Sequence, residues 1–293
     1  MAERSYFRDD VLEGRVALIT GGGSGIGFEV ARQFGLHGCK GVVLMGRRKQ
    51  FLDKAVELLK KDNIQAVCFA GDVRNSENCS AAVALAVETY GGLDVLVNAA
   101  AGNFLAAAEE ISGNGFKAVM DIDAVGTFNV TRAAFEALRQ SPYGGVVTSI
   151  TATLHYTATW YQTAPVAAKA AIDAMTRNLA LEWGEFGLRC NAVAPGPIAE
   201  TPGLEKLSAS VRRKRMGSPG RGARLRRAGT KGEIASACIY LCLNRYITGQ
   251  TLPVDGGEWF GKKPMMPREV VSQISRGVEK QSRSMGPGAK SKL

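Results

Sequence analysis

Histidine is scarce in this chain, and no apolar run is long. The two histidines, His37 and His155, stand too far apart to suggest a metal site. The six cysteines, Cys39, Cys68, Cys79, Cys190, Cys238 and Cys242, are scattered, with neither a CxxC pair nor a Cys/His ligand cluster. Buried reduced thiols are therefore expected rather than a metal centre. No stretch reaches the ~18 consecutive apolar residues of a membrane span, so none is expected. The opening MAERSYFRDDVLEGR carries acids and no apolar run of the signal-peptide kind, which argues against export by that route. What is present is core material: 293 residues, 45% hydrophobic and 22% charged, suit one large globular α/β domain.

The formal charge of +10 is unevenly spread. Between Lys206 and Lys231 lie Arg212, Arg213, Lys214, Arg215, Arg221, Arg224, Arg226 and Arg227, and the tail after Gly261 is basic again, while the body before Pro202 is nearly balanced. Charge alone would admit a polyanion. No aromatic-interleaved surface or nucleic-acid reading motif accompanies it, so a nucleic-acid partner is not expected.

Apolar runs alternate with helical periodicity. Arg15–Thr20, Gly41–Met45, Ala66–Ala70, Leu93–Val97, Gly145–Ile150, Leu188–Val193 and Gln250–Val254 read as strands. Helical spacing follows Gly27 and covers Phe51–Lys61, Ser76–Tyr90, Gly115–Leu138, Val166–Glu182 and Glu233–Leu243. Strands this apolar, alternating with helices, predict a doubly wound parallel sheet of the Rossmann-like α/β class, covered on both faces. The Pro-, Gly- and Arg-rich stretch at about 195–232 is expected to be a mobile basic lid. The organisation expected is one domain over 14–257 that includes this lid, and an extension over 258–293. That extension carries one amphipathic pattern (Val270, Val271, Ile274, Val278) and a polar end expected to be disordered.

Gly21-Gly-Gly-Ser-Gly-Ile-Gly27 stands between the first strand and the first helix. There, backbone N–H groups can approach a pyrophosphate at the positive end of a helix dipole, which predicts a dinucleotide. An NAD site normally has Asp or Glu at the end of the second strand, whereas this chain has Gly46-Arg47-Arg48. Two guanidiniums would pair with a 2′-phosphate, so NADPH is expected. Asp72, after the third strand, suits either hydrogen bonding to adenine or capping the helix that starts near Ser76.

Thr20-Gly-Gly-Gly-Ser-Gly-Ile-Gly27, Asp72, Asn98-Ala-Ala-Ala-Gly102, Lys169 and Pro195-Gly-Pro-Ile198 together resemble the short-chain dehydrogenase/reductase superfamily over residues 14–257. The usual Ser, Tyr and Lys of that family, the last two spaced YxxxK, are broken here. Pro165 stands four residues before Lys169, Ala152 takes the Ser position next to Thr151, and Asp123 takes the Asn position. Without the tyrosine, alcohol/ketone chemistry lacks its proton donor.

The departures themselves resemble one branch. Ala99–Leu105, Val119–Asn129, Ile150–Leu154 and the terminal Ser291-Lys-Leu293 are similar to the peroxisomal 2,4-dienoyl-CoA reductases, and Leu154–Ala158 to plant-like members. That resemblance implies NADPH-dependent hydride delivery to the δ carbon of a 2,4-dienoyl-CoA and protonation at the α carbon, giving a 3-enoyl-CoA. The acid is then a water held by Asp123 and Lys169. Cofactor contacts are implied for Gly21, Gly22, Gly23, Ser24, Gly25, Ile26, Arg47, Arg48, Lys49, Gln50, Phe51, Asp72, Lys169, Pro195, Gly196, Pro197, Ile198, Ala199, Glu200 and Thr201. Acyl-CoA contacts are implied for Arg47, Arg74, Phe104, Ser112, Gly113, Asn114 and Lys206. The segment 212–227 is either a clamp for the CoA phosphates or a solvated loop. A homotetramer, peroxisomal import through a receptor that reads Ser291–Leu293, and no metal complete the expectation. Two alternatives stay open: another NADPH-dependent enoyl- or oxoacyl-CoA reductase, and a cofactor-binding pseudoenzyme. Tyr156 and Tyr161 are the fallback proton donors.

Overall fold

Each predicted strand is apolar on both sides, so each needs cover on both faces. In the computed structural model, which describes residues 6–201, 223–261, 267, 270–273 and 276, the strands are β1 (Val16–Thr20), β2 (Gly41–Gly46), β3 (Ala66–Ala70), β4 (Val95–Asn98), β5 (Val146–Ile150), β6 (Arg189–Pro195) and β7 (Thr251–Val254). Among the described residues they form one parallel sheet in the order β3-β2-β1-β4-β5-β6-β7. The helices are α1 (Gly25–Leu36), α2 (Lys49–Lys61), α3 (Ser76–Tyr90), α4 (Gly113–Met120), α5 (Gly126–Arg139), α6 (Leu154–Thr157), α7 (Thr163–Trp183) and α8 (Lys231–Leu243).

The pleat of β1 divides the core. Ala17 and Ile19 join Val30 and Phe34 of α1, Leu52 of α2 and Ile234 and Cys238 of α8. Val16 and Leu18 join Val83 of α3 and Val130, Ala134 and Leu138 of α5 on the other face. Fully burying a side chain such as Phe34 contributes about 1.5–3 kcal/mol, which is why neither face tolerates a polar substitution cheaply. The strand order reverses between β1 and β4, so the carboxyl ends of these strands open a crevice.

Two elements differ from expectation. The helix expected over Gly115–Leu138 is interrupted by a π-helical turn at Asp121–Val125. One extra residue in a turn leaves little trace in hydrophobic periodicity. Helix α7 begins at Thr163, earlier than Val166, because Pro165 occupies its first turn, where no intrahelical N–H bond is lost.

All six cysteines are free; burial raises the thiol pKa of Cys190 and Cys242 to about 12. Among the described residues no helix is long and apolar enough to cross a membrane, and no group of three His, Cys, Asp or Glu could hold a metal ion. The chain divides into units Met1–Trp259 and Phe260–Leu293. In the second, Val270 and Val271 are helical and exposed. Ile274, Val278, Ser291–Leu293, Lys206 and the Arg212–Arg221 part of the basic segment lie outside the described residues.

Candidate active site

The crevice is a cleft of about 980 Å³ at the carboxyl ends of the strands. Its first end is made of backbone. Gly21 and Gly25 adopt φ of +67° and +61°, and a Cβ on Gly21 would stand 2.7 Å from the Ala99 carbonyl oxygen. A Cβ on Gly27 would meet the Gly21 carbonyl at 2.7 Å, so this glycine lets α1 close against the turn. The turn is tied to β4 by Thr20 Oγ1, which accepts from the N–H groups of Ala99 and Ala100 at 3.0 Å each. Ser24 caps α1 without a side-chain hydrogen bond, and no acid occupies the first turn. The N–H groups there remain open to an anion, as a pyrophosphate requires.

Gly21, Gly23, Ser24, Gly25 and Ile26 line the cleft, with Arg47, Arg48 and Phe51 beside them. The Arg48 guanidinium lies 4.0 Å over the Phe51 ring, and among the described residues neither Arg47 nor Arg48 is in an ion pair. Gly22 packs toward Leu44 instead, Lys49 pairs with Asp53 at 2.8 Å, and Gln50 is exposed; none of the three lines the cleft. Asp72 does line it, held by Arg74 at 2.6 Å, which keeps its carboxyl below the usual range. Of its two expected roles the cap is excluded: Asn75 caps α3, accepting from the Asn78 N–H at 2.9 Å.

The second end is made of charge. The π-helical turn drives Asp123 into the interior, where it is fully buried. Its Oδ1 accepts from the Gly102 N–H at 2.6 Å, and its Oδ2 lies 3.0 Å from Lys169 Nζ. Lys169, 8% exposed, donates to the Ile150 carbonyl at 3.1 Å, and Thr151 Oγ1 donates to the Lys169 carbonyl at 3.2 Å. Oδ2 is itself buried and has no hydrogen-bond partner among the described residues, although Asp123 and Lys169 both line the cleft. A buried ion pair is tolerable only when its remaining valences are used. A carboxylate oxygen with spare capacity beside a lysine suits a small polar molecule that hydrogen-bonds to both.

Pro165 lines the cleft where the superfamily's tyrosine is expected and offers no hydroxyl. The fallback donors lie elsewhere. Tyr156 donates to Asp173 at 3.5 Å, and burial, then Asp173, raises its pKa to about 12; Tyr161 is exposed. Neither lines the cleft.

At the far wall Pro195, Gly196, Pro197, Ile198 and Thr201 line the cleft, whereas Ala199 and Glu200 do not. The Ala199 N–H donates to Gly229, and Glu200 pairs with Lys231 at 3.6 Å. Phe104, Arg74, Ser112, Gly113 and Asn114 are also outside the lining; Ser112 caps α4, accepting from the Gly115 N–H. The sequence reading missed Asn103, Thr153, Thr157, Thr159, Gln162, Glu258 and Trp259, all of which line the cleft. Most stand in uncharged loops after β4 and β5, and the only signal for them is position after a strand end.

The sequence profile described as Enoyl-(Acyl carrier protein) reductase matches residues 21–258. The chain belongs to the short-chain dehydrogenase/reductase family. A short chain dehydrogenase from Bacillus anthracis superposes with a TM-score of 0.78 at 35% identity, covering 87% of this chain and all of that one. Among curated members of the family, the "Peroxisomal 2,4-dienoyl-CoA reductase [(3E)-enoyl-CoA-producing]" of Arabidopsis thaliana is 51% identical over 296 residues, 97% of each chain. A protein of the same name from Pongo abelii is 44% identical over 263 residues, 88% of each chain.

Proposed function

We propose that this short-chain reductase is a peroxisomal, NADPH-dependent 2,4-dienoyl-CoA reductase that produces 3-enoyl-CoA in the β-oxidation of unsaturated fatty acids. The relatives' names support the substrate and the compartment. The observation that carries the chemistry is the buried Asp123–Lys169 pair at the end of a cleft that lacks a tyrosine.

The glycine turn fits a dinucleotide, because Gly21, Gly23 and Gly25 line the cleft with bare backbone, in a turn that a Cβ at Gly21 would push off the Ala99 carbonyl. Arg47 and Arg48 would hold a 2′-phosphate, and Asp72 would accept from the adenine amine. When bound, NADPH supplies a hydride to the δ carbon of the dienoyl thioester. The electrons of both double bonds then move toward the thioester, giving an extended dienolate. Asp123 Oδ2 and Lys169 Nζ orient a water that gives its proton to the α carbon, leaving one double bond between the β and γ carbons. Carboxylate and ammonium have separate tasks: the first fixes the water, and the second polarises it and stabilises the hydroxide left behind. No alcohol forms, so no hydroxyl donor at position 165 is needed.

Lys206 and the segment 212–227 would close over the CoA phosphates as part of a lid at about 195–232. In support, the two ends of that segment pair through Ile198 and Gly229. A homotetramer and a receptor for Ser291-Lys-Leu293 complete the proposal. The test is to mix protein, NADPH and a 2,4-dienoyl-CoA and identify the product by mass spectrometry and NMR. A 3-enoyl-CoA is expected; reduction of 3-oxoacyl-CoA instead, or no turnover with NADPH bound, overturns the reading.

A further inference from the structure

The cleft is divided by charge. At the Arg47–Arg48 end it is cationic, whereas the two loops beyond Lys169 carry almost no charge: from Ala99 to Ala108 and from Ile150 to Val166, His155 is the only residue of the Asp, Glu, Lys, Arg and His types, and Glu258 is a further acid of the lining. His155 itself faces inward, its Nε2 2.8 Å from Asp173 Oδ2 on α7.

Out of the second wall project Trp160 and Tyr161, 83% and 56% exposed, their ring centroids 5.9 Å apart. Thr159 and Gln162 on either side of them line the cleft. The backbone is costly here. Ala158 (φ 81°, ψ 152°) and Tyr161 (φ 63°) occupy regions that favour glycine. It is also pinned: the Ala106 N–H donates to the Tyr161 carbonyl at 3.1 Å, Asn103 Nδ2 donates to Gln162 Oε1 at 3.2 Å, and His155 anchors the start of the loop to Asp173. A strained loop fixed at three points that still holds two aromatic rings in solvent is suited to present them to an apolar ligand.

Building on the acyl-CoA reading above, we propose that Trp160 and Tyr161 form an aromatic lip that receives the far end of the acyl chain and makes this reductase prefer longer chains. The 2′-phosphate of NADPH takes the cationic end, so the uncharged walls are left to the acyl thioester and its hydrocarbon.

Saturated hexanoyl-CoA and dodecanoyl-CoA, which cannot be reduced, separate this proposal from the catalytic one. Their affinities would be measured calorimetrically with NADP present, for the parent protein and for Trp160→Ala, Tyr161→Ala and Trp160→Phe. The parent should bind dodecanoyl-CoA more tightly. Each alanine variant should lose about tenfold of that advantage, the equivalent of two buried methylenes, while hexanoyl-CoA affinity holds. Trp160→Phe should retain most of it. A parent indifferent to chain length, or alanine variants with the parental ratio, overturns the lip. So does a change of oligomeric mass in Trp160→Ala with the ratio intact, which would make this an interface between copies. Chain-length-dependent binding in a protein that does not reduce dienoyl-CoA would refute the catalytic reading alone.

Discussion

At one end of the cleft, Gly21, Gly25 and the open N-terminus of α1 present backbone N–H groups, flanked by the exposed Arg47 and Arg48. At the other, the buried side chains of Asp123 and Lys169 face each other at 3.0 Å. On the proposed function, the first end would bind by leaving groups open and the second would work by holding groups closed. Substitutions should therefore affect affinity at the first and turnover, together with stability, at the second.

The largest effect is expected at the closed end. Lys169→Ala strands a buried carboxylate, so unfolding free energy should fall by about 3–5 kcal/mol in urea titrations. Turnover should drop by about 10²–10⁴-fold. Adding Asp123→Asn to Lys169→Met should restore stability without turnover; if both return together, the pair is only structural.

Gly21→Ala tests the open end. Its φ of +67° and the 2.7 Å approach to Ala99 make the methyl costly, by about 1–3 kcal/mol, with NADPH affinity falling by a similar free energy in fluorescence titrations. Unchanged affinity would mean that the turn does not cradle the cofactor. Replacing Arg47 and Arg48 with Ala should narrow the NADPH/NADH ratio by at least about tenfold, chiefly by weakening NADPH, because even one hydrogen bond to a charged group contributes about 1.5–3 kcal/mol. Equal weakening of both nucleotides would remove the 2′-phosphate assignment.

The smallest effect lies outside the cleft. Glu233 closes a capping box with Thr230 and pairs with Arg227 at 2.6 Å, which lowers its carboxyl pKa from 4.5 to about 2. A depressed carboxyl pKa gives stability that is complete above pH 4.5 and is lost as pH falls toward about 2. The partner is half exposed, so Glu233→Gln should cost only about 1 kcal/mol at neutral pH. The difference in thermal midpoint from the parent should vanish in acid.

The same contrast explains what the sequence made legible. The open end is contiguous: strand, glycine turn and helix run from Val16 to Leu36, and Arg47–Arg48 ends the next strand, so local chemistry points to a dinucleotide. The closed end gathers Gly102, Asp123, Ile150 and Lys169 from four separate elements. Only resemblance brought Asp123 and Lys169 together, and the π-helical turn that buries Asp123 left no sign in the apolar spacing. The uncharged loop residues Asn103, Thr159 and Gln162 were invisible for a related reason. Nothing in their chemistry separates a cleft wall from an ordinary loop.

The division of labour between the ends is tested most directly by Asp123→Asn. The amide keeps the side chain's shape and an oxygen for the Gly102 N–H, but removes the charge facing Lys169. Single-turnover reduction of a 2,4-dienoyl-CoA should slow by about 10²–10⁴-fold, while NADPH affinity stays within about twofold of the parent. Turnover at the parental rate, with a deuteride isotope effect showing that chemistry is rate-limiting, would contradict the account and make the aspartate a structural residue.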